Sequence, residues 1–112
     1  MLIVTPLLSS ISLIKLGMSR VKGSNFDKLV EHLNSYKAGD EVFRKDLLKV
    51  VYEKPDSIGY PSISTVDEWR RQLTVCEYLE ETKVPGRYRR TGKYIPNWLT
   101  SSALELLASL IS

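Results

Sequence analysis

Apolar residues recur at helical spacing in the first well-patterned segment. Phe26, Leu29, Val30, Leu33 and Tyr36 fall at i, i+3, i+4, i+7 and i+10, a single stripe of period 3.6. Ser24 with Asp27 three residues on has capping-box-like spacing, and Gly39 marks the expected end. His32 and Lys28 fall off the stripe. Val42 and Phe43 favour a short strand, and RKDLLKVVY then reads as a second helix with Leu47, Leu48 and Val51 inward until Pro55 stops it. A loop rich in Pro and Gly, EKPDSIGYPSIS, follows. The third helix is expected to start at Ser64 or Thr65, with Ser64 and Asp67 repeating the capping spacing. Val66, Trp69, Leu73 and Cys76 turn to the core, and Ser64, Asp67, Glu68, Arg71 and Val75 lie opposite. Segments 78–83 and 87–91 around Pro85 and Gly86 form a candidate hairpin. SSALELLASLIS closes the chain as a helix with Ser102 and Glu105 at capping spacing. Its leucines cover more than one face, so it needs a partner surface.

The 112 residues leave room for one small domain. At 43% hydrophobic and 26% charged, the composition is that of an ordinary globular chain. The first eighteen residues are apolar except for Pro6, a few hydroxyls and Lys15. A signal peptide lacks its basic n-region here, and a membrane span is interrupted by Pro6 and Lys15. The favoured readings are an arm that packs on the domain or on a second copy, or a true start at Met18. The expected organisation is therefore an arm or mis-start over 1–19, a domain over 20–96, and an apolar helix over 97–112.

A net charge of +3 is too small to name a partner, but its distribution is uneven. Lys83, Arg87, Arg89, Arg90 and Lys93 lie within eleven residues that hold no acid, whereas 64–82 is net acidic. No nucleotide-binding glycine motif, HExxH or CxxC occurs. With one cysteine and one histidine, a zinc cage and a disulfide framework are out of reach. Cys76 and Trp69 read as core, and Trp98 as an anchor for the last helix. The expectation is no enzyme, no cofactor, no metal and no small-molecule substrate.

GDEVFRKDLL, STVDEWRRQLTVCEYLEE and PGRYRRTGKY, in this order, resemble the winged helix-turn-helix family, in its small phage or prokaryotic type. The resemblance spans roughly residues 24–96. It implies a mainly α fold with a small β-hairpin, in the order α-β-α-α-β-β-α. It also implies double-stranded DNA as partner, a role in transcription regulation, and a place in the cytoplasm, on a nucleoid or in a host cell. The third helix would enter the major groove through Ser64, Thr65, Glu68, Arg71, Gln72 and Val75. Arg71 would read guanine and Gln72 adenine. An ion pair of Arg70 or Arg71 with Asp67 or Glu77 competes with that role. Arg87, Arg89, Arg90 and Lys93 would meet phosphates, with Tyr88 beside them. Four or five such contacts would give a salt slope of about −3.6 to −4.5. A homodimer through the last helix and the N-terminal arm would match a two-fold site. The competing reading is a protein-interaction module of a replication complex or virion.

Overall fold

The computed structural model describes residues 20–111. The N-terminal segment, and with it the expected arm or alternative start, lies outside the described residues. Four helices and a three-stranded antiparallel sheet follow the order α1 (Asn25–Asn34), β1 (Glu41–Phe43), α2 (Arg44–Glu53), α3 (Ile63–Val75), β2 (Leu79–Glu81), β3 (Arg87–Arg90), α4 (Ser101–Ile111).

Helix α1 starts where its cap predicts, with Ser24 Oγ accepting from the Asp27 N–H. It ends at Asn34, five residues before Gly39. Gly39 instead holds φ 91° and donates its N–H to Arg90 O at 2.7 Å, steering the chain into the sheet. The cap of α3 also differs from expectation. Ser62, not Ser64, accepts from the Thr65 N–H. Thr100, not Ser102, does the same for Ala103 at the start of α4. Both were missed because hydroxyls cluster at these starts and spacing alone does not choose among them.

The strands lie in the order β1-β3-β2. The hairpin is therefore not alone: β1 joins its far strand, with Val42 opposite Tyr88 and Phe43 opposite Arg87. Helix α3 ends in a paired backbone turn. Tyr78 N–H donates to Leu73 O and Glu77 N–H to Thr74 O, with Glu77 at φ 67° where glycine is usual. Leu29, Val30 and Leu33 of α1, Leu47 and Val51 of α2, Leu73 of α3, Leu79 of β2 and Leu104 of α4 are fully buried together with Ile95 and Leu99. The last helix thus contributes to the same core as the segments before it. Trp69 packs edge-on against Phe26 with ring centroids 5.3 Å apart, and Cys76 is buried.

Candidate nucleic-acid interface

Helical geometry divides α3 into three strips. Ser64, Glu68 and Arg71 are exposed along one of them, with Val75 half-buried at its end against the core. Arg71 does not stand free. Its Nε and Nη2 donate to both oxygens of Glu68 at 2.7 and 2.8 Å, and that pairing holds the Glu68 carboxyl below its ordinary range. Thr65 is half-buried and shares its hydroxyl with Ser62 at 2.8 Å. Gln72 turns away from solvent altogether: it is 4% exposed and donates to Glu68 at 3.3 Å. The expectation that Gln72 reads a base is corrected by its position on the strip that faces α4.

The other flank of α3 meets the sheet. Asp67 is not a cap. Arg44, the first residue of α2, grips it with two bonds of 2.8 Å, which depresses the Asp67 carboxyl. The Arg44 backbone N–H donates to Gly86 O in the hairpin turn. Arg70 lies over the Tyr88 ring at 4.7 Å and 3.9 Å from Asp67. The start of α2, the flank of α3 and the hairpin therefore meet along one edge.

The basic hairpin divides by strand alternation, because successive side chains of β3 point to opposite faces. Tyr88 and Arg90 turn to the helices, and Arg87 and Arg89 turn away. Arg90 is 4% exposed. It donates through Nε to Leu33 O at 2.9 Å, through Nη1 to Tyr78 O at 2.5 Å and through Nη2 to Lys93 O at 3.2 Å. Burial lowers its pKa. This corrects the phosphate role expected of Arg90: it ties α1, the turn before β2 and the segment after β3 together from inside. Lys93 donates to Cys76 O at 3.0 Å and sits 4.6 Å above the Tyr78 ring. It closes the C-terminus of α3, where a cation meets the negative end of the helix dipole.

What remains outward is Arg87 and exposed Arg89, with Lys83 and Lys45 nearby. Arg87 and Lys45 both lie over the Phe43 ring, at 5.2 and 5.7 Å. Glu41 and Glu80 stand opposite Arg89 in the register, and Glu41 comes within 3.8 Å of Arg87. Arg44 and Lys45 were not among the residues expected from sequence. They precede the third helix by some twenty positions, and only the β1–β3 pairing brings them to the hairpin.

Among the described residues no cluster of three or more His, Cys, Asp or Glu could hold a metal. No described helix is long and apolar enough to cross a membrane. Comparison with protein-family models, curated proteins and solved structures finds no match.

Proposed function

We propose that this chain is a winged-helix domain that binds double-stranded DNA and acts in transcription regulation, with the β2–β3 hairpin as its wing. The element order α-β-α-α-β-β-α and the strand order β1-β3-β2 support the fold reading. The observation that carries the functional one is Arg44. By gripping Asp67 while bonding the hairpin turn at Gly86, it joins the third helix and the wing along one edge. Cations flank that junction on both sides. The ε nitrogens of Arg70 and Arg87 rest beside aromatic rings with no hydrogen-bond partner. In this reading Lys45, Lys83, Arg87 and Arg89 meet phosphates, and Ser64, Glu68 and Arg71 face the groove.

The test is fluorescence anisotropy of a labelled random duplex across a salt series. Four phosphate contacts give a slope of about −3.6 in log K against log salt. Binding that ignores salt, or that survives Arg87→Ala with Arg89→Ala unchanged, sinks the reading.

The proposal includes a homodimer. Leu106, Leu110 and Ile111 of α4 are exposed at 50%, 65% and 62%, an apolar strip that a second copy would cover. Sedimentation of the Leu106→Lys, Leu110→Lys double variant reads this directly: the wild-type chain runs as a dimer and the variant as a monomer.

One observation favours the assembly-module reading instead. Ile58 and Tyr60 stand 93% and 70% exposed on the α2–α3 loop. That loop is nonetheless pinned, because Asp56 accepts from the Asn25 and Ile58 N–H groups while Asn25 bonds back to Asp56 and Gly59. A rigid loop with outward apolar residues suits a protein partner. Loss of partner binding in Ile58→Ser with duplex affinity intact would separate the two readings.

A further inference from the structure

Exposed apolar side chains gather at one cleft. Val21, Ile58 and Tyr60 stand open to solvent and line a space of about 330 Å³ together with Phe26 and Trp69. Its walls come from the start of α1, the α2–α3 loop, α3 and the entry to α4. The loop wall is held in place, because the Asp56 and Asn25 side chains each accept from the other's backbone N–H. Apolar groups grouped in this way on a fixed frame mark a surface that something covers.

The polar groups at the cleft are already engaged. Arg20 donates through Nε to Asp27 Oδ1 at 2.9 Å and through Nη1 to Pro96 O, and the ion pair is buried. Asp56 commits both oxygens to backbone groups, Oδ2 to the Asn25 N–H and Oδ1 to the Ile58 N–H. What the cleft offers a newcomer is therefore mainly apolar surface.

The chain itself enters the domain at this cleft. Arg20 and Val21 are part of the lining, and the Arg20 backbone N–H donates to Asn97 O at 3.2 Å, which fixes the point of entry. Just before that point the sequence reads LLSSISLIKLGMS, aliphatic as far as Leu16 with Lys15 as its one charge. The seven residues from Leu13 to Arg20 can span about 24 Å when extended, ample to turn back onto the cleft.

We propose that residues 7–16 of the same chain fill this cleft, packing leucine and isoleucine side chains against Ile58, Tyr60 and Trp69. A short tether presents such a segment at an effective concentration on the order of millimolar, which favours the same chain over a second copy. The expected N-terminal arm thereby gains a seat, and Ile58 and Tyr60 gain an occupant other than a foreign protein. The inference does not depend on the DNA reading.

A spin label on Ser10→Cys in the full chain tests this by amide NMR, since Cys76 is buried and stays unlabelled. Broadening should be strongest at the amides of residues 21, 26, 58–60, 100 and 101. It should vanish when spin-labelled chain is mixed with isotope-labelled chain that carries no spin label, because the contact is within one molecule. Leu13→Asp with Ile14→Asp, in the segment itself, should reduce it to the level of the mixture. Ile58→Ser with Tyr60→Ser, at exposed positions that leave the core untouched, should do the same. Broadening that is absent, evenly spread or strongest at residues 106–111 overturns the proposal. So does broadening that persists in the mixture, which assigns the cleft to a second copy, or that survives both pairs of substitutions. A natural protein whose intact mass starts at Met18 overturns it as well.

Discussion

Strand β3 and helix α3 both carry arginines side by side, and the two elements dispose of them differently. In β3 the two-residue period sends Arg89 to solvent and its neighbour Arg90 into the interior. Arg90 meets only neutral acceptors there, three of them backbone carbonyls. In α3 the 3.6-residue period places acids three positions before each arginine, so Arg71 pairs with Glu68, and Arg70 approaches Asp67. The strand converts linear charge into one outward and one structural cation. The helix converts it into ion pairs. Charge counted along the sequence therefore overstates the positive surface in both elements, by different physics.

The comparison breaks most sharply at Arg90. Replacing it with alanine removes the hydrogen bonds that a buried guanidinium makes to three backbone carbonyls and opens a cavity, so a loss of about 3 kcal/mol is expected in urea unfolding. Arg89→Ala should change stability by no more than about 0.5 kcal/mol. Similar losses for the two variants would show that the faces of β3 are not distinct in energy.

Next comes the reciprocal experiment on binding. Arg87→Ala with Arg89→Ala should reduce the steepness of the salt slope by about 1.8, one phosphate contact each. Arg71→Ala should leave that slope nearly unchanged, because its charge is already matched by Glu68. Equal slope changes for the helix and strand variants would erase the distinction.

Where α3 hands over to the hairpin, Glu77 holds φ 67° at a helix end. Glu77→Gly should stabilise the fold by about 1 kcal/mol, since a side chain in the left-handed region carries about that cost. Thermal unfolding reads this as a rise in Tm.

The smallest effect concerns pH. Burial lowers the His32 pKa below 6.5, against the opposing pull of Asp46. The unfolded chain then binds the proton more readily. Stability is full above pH 6.5 and declines as pH falls from there through the folded-state pKa. His32→Gln should flatten that decline while leaving the acid-limb loss from Asp67, whose carboxyl is held below 3.8, in place. An unaltered profile in the variant would assign the decline to other groups.

Much of the fold was legible before any coordinate. The α1 stripe, the inward set Val66, Leu73 and Cys76, and the hairpin around Gly86 follow from period and turn chemistry, which act between near neighbours. Cap choice was less legible, because Ser62, Ser64 and Thr65 differ little in propensity and tertiary entry angle selects among them. The candidate site was half legible. Arg89 and Arg71 are exposed as expected, and Arg87 is half-buried against Phe43. Gln72, Arg90 and Lys93 are committed inside or at a helix end, and Arg44 and Lys45 enter from a distant segment.

The sequence alone determined which segments coil and where most of them stop, since those preferences reside in local backbone sterics and in apolar spacing. Which cations remain free was decided only in three dimensions. The partners that hold Arg90 lie as far as 57 positions away, at Leu33, and the acid that holds Arg44 lies 23 away, at Asp67. Pairing across such separations depends on strand register and on the packing of one helix against another, and neither is written in the spacing of neighbouring residues.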